Sequence, residues 1–111
     1  MAVERPHIVV VFCTVPDLDV GRKIARLLVE RRLAACVNIV PGLTSIYRWQ
    51  GEIQDDAEVL LVIKARRVMF DELAAVIAAE HPYEVPEVLA LKAVECHEPY
   101  AEWLAEVTEI S

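Results

Sequence analysis

The most constraining feature of this 111-residue sequence is a pair of long strand-like segments joined by a two-residue turn. Residues 35–49 run outward to Gln50-Gly51 and residues 52–65 return, with Glu58-Val59-Leu60-Leu61-Val62-Ile63 as the core of the returning arm. Each arm is about 15 residues long, whereas strands average about 5–6. Arms of that length overshoot any sheet a small domain can build. Pro41-Gly42 interrupts the outgoing arm, and a proline next to a glycine inside a strand marks a bulge or bend, here where the overshoot begins.

The flanking segments supply the rest of the sheet and its cover. Residues 8–14 (Ile-Val-Val-Val-Phe-Cys-Thr) are apolar on both faces, the pattern of a central strand covered by helices. Beyond Pro16, Asp17 or Asp19 can cap a helix whose apolar positions Val20, Ile24, Leu27 and Leu28 share one stripe. Arg31 and Arg32 are expected in its last turn, complementing the macrodipole. A second helix is expected over residues 68–80, with Phe70, Leu73, Ala74 and Ile77 on its apolar stripe, stopped by the prolines of His81-Pro82-Tyr83-Glu84-Val85-Pro86. Residues 88–94 read as the last strand and residues 100–107 as a terminal helix carrying Trp103 and Leu104. The order β-α-β-β-α-β is the ferredoxin-like split arrangement of an α+β fold, in one domain over residues 1–111. Right-handed crossovers give strand order 4-1-3-2. The end of strand 1, the loop 81–87 and the overshooting hairpin then meet at one end of the sheet.

Composition narrows the function. Apolar residues make up 56% of the chain, above the roughly 45–50% of a soluble domain. In a small chain such an excess points to a subunit interface. A net charge of −7 without any basic run argues against nucleic acid. No apolar run is long enough for a membrane span and residues 1–7 lack a signal-peptide layout, so a cytoplasmic protein without a membrane partner is expected. The three cysteines, Cys13, Cys36 and Cys96, form no CxxC pair and read as free thiols.

Cys13 and His81 are the first candidates for chemistry. They are either a packed thiol and a helix-terminus imidazole, or ligands for a soft or borderline metal, with Cu(I) favoured over zinc because four ligands are lacking. A nucleophilic Cys/His pair lacks a third, orienting group. Glu80, Glu84 and Glu87 bracket the same loop as solvated charges or hard-metal ligands. Glu95-Cys96-His97-Glu98 is metal-like in composition but precedes Pro99 in a turn, while Cys36 reads as core and His7 as surface. Tyr47 and Trp49, with Leu43, Ile46 and Ile53, make the hairpin an apolar projection that needs cover, which favours a subunit interface. Nucleotide-binding glycine motifs and a GxSxG elbow are absent from the sequence.

The residues 33–42 (LAACVNIVPG), 44–51 (TSIYRWQG) and 81–87 (HPYEVPE), followed by Tyr100 and Trp103-Leu104, resemble the CutA family of divalent-cation tolerance proteins across residues 9–107. The resemblance implies a PII-like homotrimer of ferredoxin-like subunits held together by the hairpin. It also implies a link to copper or another divalent cation and no enzymatic activity. Carried over by position, the family's copper ligands fall on Cys13 and His81. Glu80 stands where some members have a second histidine, and a carboxylate is a poorer Cu(I) ligand than imidazole. The candidate metal set is therefore Cys13, His81 and Glu80. Two alternatives stay open: a PII-like sensor of a small anion, with Lys64 and Arg66 supplying charge, and a structural or interaction scaffold without a metal role.

Overall fold

The computed structural model describes residues 7–109. Its elements are β1 (Ile8–Val15), α1 (Leu18–Glu30), β2 (Cys36–Trp49), β3 (Glu52–Arg66), a single 3-10 turn (Arg67–Met69), α2 (Phe70–Glu80), β4 (Leu89–Lys92) and α3 (Glu98–Val107). The sheet order is β2-β3-β1-β4, every neighbouring pair antiparallel. This is the expected α+β topology.

One face of the sheet carries the main core. Alternate residues Val9, Val11, Cys13 and Val15 of β1 and Val59, Leu61, Ile63 and Ala65 of β3 are buried against Ile24 and Leu28 of α1 and Leu73 and Ile77 of α2. A second cluster joins Ala101 and Leu104 of α3 to Ile8 and Ala35. Asp17, rather than Asp19, is the α1 N-cap, its Oδ1 accepting from Val20 N–H at 2.9 Å.

Several boundaries depart from the sequence reading for local reasons. Arg31 and Arg32 lie beyond α1, not in its last turn. Arg32 takes the left-handed conformation (φ 59°) while Leu33 N–H bonds Leu28 C=O and Arg32 N–H bonds Val29 C=O. Those two bonds satisfy terminal carbonyls in a Schellman cap, with Leu28 and Leu33 as its apolar contact. Arg32 also donates to the Val107 carbonyl at 3.2 Å, fastening α1 to the end of α3. Helix α2 begins at Phe70, after the 3-10 turn, and of the expected stripe only Leu73 and Ile77 are buried. Strand β4 is confined to four residues because its pairing with β1 runs only from Val9↔Lys92 to Phe12↔Leu89. Helix α3 starts two residues early, with Pro99 in its first turn, where a missing N–H is harmless.

The hairpin projects as expected. Pairing of β1 with β3 stops at Val15↔Val59, yet β2 and β3 stay paired to Trp49↔Glu52. The register slips between Val40 and Leu43, where Gly42 adopts φ 87°, and the turn is closed by Gln50 and Gly51 at φ 49° and 82°. Two successive positive φ values are the type I′ signature, whose twist matches that of the strands. The projection elongates the molecule to 56 × 25 × 22 Å. Among the described residues, no helix is long and apolar enough to cross a membrane.

Candidate functional site

The end of β1, the loop 81–87 and the base of the hairpin meet at one end of the sheet, as the topology requires. Cys13 points to the helix side between Val11 and Val15 and is fully buried. Burial, followed by the nearby carboxylates of Glu87 and Glu58, pushes its thiol from 9.0 up to about 12. The thiolate is the form that binds soft metals or attacks electrophiles. At neutral pH this sulfur is therefore a packed, protonated thiol.

His81 is the first residue beyond α2, and its extended backbone turns the ring toward β1. Its Nε2 lies 2.8 Å from the Thr14 carbonyl oxygen, and its Nδ1 lies 3.1 Å from the Tyr83 backbone nitrogen. A carbonyl only accepts and an amide N–H only donates, so Nε2 carries the proton and Nδ1 the lone pair. Both ring nitrogens are engaged by the protein. The Tyr83 ring stands 4.6 Å from the imidazole, and its hydroxyl donates to Glu58 Oε2 at 2.7 Å. Glu58 is only 5% exposed although it lies in a strand beyond the end of β1. The Tyr83 hydroxyl gives the buried carboxylate its partner. Burial, then the Glu58 hydrogen bond and charge, holds the Tyr83 hydroxyl well above the usual phenol range. Farther along the hairpin, Tyr47 donates to Asp56 Oδ2 at 2.6 Å, and that bond leads the upward shift of its phenol.

Glu80 turns away, forming an ion pair with Lys23 of α1 at 3.1 Å. Among the described residues, no group of three or more His, Cys, Asp or Glu side chains is placed to hold a metal ion. Thus Cys13 and His81 reach the same end of the sheet, but Cys13 is protonated, His81 has no free nitrogen and Glu80 faces another helix. In this conformation the three do not fit a metal ion. Glu84 and Glu87 are exposed, and His97 is an uncapped helix start. Cys36 is half-buried rather than core, and His7 is exposed as expected. Arg66 donates to both the hydroxyl and the carbonyl oxygen of Thr108, which ties its guanidinium to α3 rather than leaving it for an anion.

Sequence reasoning passed over Glu58. It appears there as one charge inside an apolar strand, and the phenol that pairs with it is 25 residues away. The available signal was a lone carboxylate at the start of the apolar core of the returning arm.

Two βαβ units interleaved in one antiparallel sheet, with an extended β2–β3 hairpin and a closing helix, define a ferredoxin-like α+β protein. Residues 9–107 match the family described as CutA1 divalent ion tolerance protein, and this chain belongs to that family. It is 56% identical over 99 residues to the divalent-cation tolerance protein CutA of Thermus thermophilus, covering 89% of this chain and 96% of that one. It is 46% identical over 100 residues to the chloroplastic protein CutA of Arabidopsis thaliana, covering 90% of this chain but 55% of that protein. The crystal structure of CutA1 from Oryza sativa superposes with a TM-score of 0.92 at 44% identity, covering 96% of this chain and 98% of that one. The chain thus spans nearly all of the bacterial relative and about half of the plant one.

Proposed function

We propose that this chain acts in divalent-cation tolerance as a cytoplasmic homotrimer of single-domain subunits, binding copper or another divalent cation and catalysing no reaction. The observation that carries the assembly is the apolar surface beyond the core. Ile46 and Ile53 on the projecting hairpin are 70% and 61% exposed, with Tyr47 and Trp49 beside them, and Leu89 and Leu91 line the edge strand. Apolar surface of this extent on a strand pair favours cover by other copies of the chain. The names of the relatives support the cation. Sedimentation equilibrium tests the assembly: a species three times the 12.5 kDa chain mass is expected, and a monomer overturns it.

Cys13, with His81 and Glu80, is the proposed contact for the cation. All three have protein partners or are buried in the conformation described, so contact there requires their release. Titration of the reduced protein with Cu(I) against a competing chelator, compared with Cys13→Ser and His81→Ala, tests this. Stoichiometric binding lost in both variants is the expected result, and binding unchanged by either moves the cation elsewhere. The anion-sensor alternative is weakened by the engagement of Arg66 with Thr108.

A further inference from the structure

We infer that His81 is oriented as a ligand through Nδ1, with the Thr14 carbonyl fixing its ring and the Tyr83 amide, anchored by Glu58, plugging the lone pair. This rests on the cation contact proposed above and names its ligand atom, the group that orients that atom and the group that competes for it.

A histidine that ligates a metal through one nitrogen donates its other N–H to a carbonyl, a carboxylate or water, which fixes the tautomer and the ring. His81 meets that requirement at Nε2, which lies 2.8 Å from the Thr14 carbonyl oxygen. The proton is therefore on Nε2, and the lone pair on Nδ1. Thr14 belongs to β1 and is paired with Leu60 of β3, so the orienting carbonyl is part of the sheet and independent of the loop. The other two members of the candidate set are not prepared in this way. Cys13 is packed among core side chains, and Glu80 is paired with Lys23.

The lone pair is occupied by the chain itself, since Tyr83 N–H donates to Nδ1 at 3.1 Å. That bond joins two neutral groups. At the other end of the same residue, the Tyr83 hydroxyl donates to the Glu58 carboxylate at 2.7 Å, and Glu58 is only 5% exposed. Hydrogen bonds to carboxylates are roughly twice as strong as neutral ones, so the anchor outweighs the plug it holds. Little else fixes this stretch. Among the described residues, no backbone–backbone hydrogen bond ties 82–88 to another part of the chain, and Pro82 and Pro86 have no N–H to give. Segments with few backbone bonds open at a fraction of the global unfolding free energy. The Tyr83 amide stays on Nδ1 because the hydroxyl stays on Glu58.

The metal-free protein reports the plug through the ring nitrogens of His81, read by nitrogen-15 NMR at a pH where the imidazole is neutral, alongside amide hydrogen exchange. Tyr83→Phe keeps the aromatic ring and removes the anchor. It should move Nδ1 toward the signal of a free lone pair and leave Nε2 protonated. Exchange of the amide at residue 83 should speed up about tenfold or more, the usual consequence of losing a hydrogen bond to a charged group. Glu58→Gln retains an acceptor of the same shape and should fall between parent and Tyr83→Phe. The amides of Leu61 and Ile63 should keep parental rates. An unchanged Nδ1 signal in Tyr83→Phe overturns the plug, as does acceleration of Leu61 and Ile63 in step with residue 83. A proton that leaves Nε2 for Nδ1 overturns Thr14 as the orienting group. Cu(I), titrated against a competing chelator, should bind Tyr83→Phe more tightly than the parent, and adding His81→Ala should erase the gain. Binding that depends on His81 without any response of Nδ1 to Tyr83→Phe keeps the cation contact and removes the plug. Equal Cu(I) affinity in parent, Tyr83→Phe and His81→Ala, with the NMR result as expected, removes the cation contact and with it the ligand role.

Discussion

The two halves of the β2–β3 hairpin share one pair of strands and follow opposite rules. From residue 59 to 65, alternate side chains of β3 are buried, Leu61, Ile63 and Ala65 completely. From residue 52 to 57 the same strand buries nothing, and Ile53 faces solvent. Both halves pair with β2, on either side of the slip between Val40 and Leu43. The difference is β1, which accompanies β3 only as far as Val59, and the helices that cover β1. Strand pairing satisfies backbone groups, whereas burial needs a third layer. Glu58 sits at the changeover, buried and hydrogen-bonded by the Tyr83 hydroxyl.

The comparison breaks most visibly if the projecting half is removed. Deleting residues 46–53 should abolish the assembly and leave sedimentation of single chains, near the 12.5 kDa of the intact subunit less the excised segment. If the shortened chain still sediments as the parent does, the projecting half is not the interface. Leu61→Ala probes the covered half. It should lower stability by about 2–5 kcal/mol in urea titrations, the range for emptying a packed leucine site. Its loss should be the same at every protein concentration, whereas Ile46→Asp with Ile53→Asp should remove the concentration dependence that the midpoint of a trimer carries.

Alkaline pH separates the halves by cause. Cys13 in the covered half is raised to about 12 chiefly by burial, and Tyr47 in the projecting half is raised chiefly by Asp56. Each is an acid whose folded pKa exceeds its unfolded value, so the folded state holds the proton more tightly. For Cys13 that stability is complete below pH 9 and is lost as pH rises toward 12. Cys13→Ala should flatten the decline between those values, and a curve parallel to the parent's would contradict a buried thiol. Tyr47→Phe should change it little, because the phenol is exposed and screened. A purely local effect is expected at the boundary. Gly42→Ala puts a side chain at φ 87°, where nothing lies within 4 Å of the new Cβ, so only backbone strain of about 1–2 kcal/mol is expected. Calorimetry on the variant checks it, and an unchanged midpoint would mean that the bulge relaxes.

Much of this arrangement was legible in the residues. The apolar runs within residues 8–14 and 58–63, the turn at Gln50-Gly51, the interruption at Pro41-Gly42 and the proline stop after His81 place the strands, the projection and the loop 81–87. Short β4 was not legible, because Leu89, Leu91 and Val94 read as strand whether or not a partner strand is beside them. The extent of β4 is set by β1, whose partners end at Phe12↔Leu89. Nor could the sequence show that Arg31 and Arg32 fall outside α1, since the Schellman cap depends on backbone bonds to Val29 and Leu28 rather than on a glycine.

At the candidate site, the sequence brought Cys13 and His81 to the same end of the sheet through topology alone, and its motifs identified the family. Residue type and order determine such things because strand periodicity, turn chemistry and crossover handedness act over short distances along the chain. Tertiary structure decided what those residues do there. It buried the thiol, placed Thr14 and Tyr83 on the two nitrogens of His81, turned Glu80 toward Lys23 and gave Glu58 a phenol to hold. Those roles depend on groups far apart in sequence meeting at hydrogen-bond distance in a dry interior, and no local pattern encodes such a meeting.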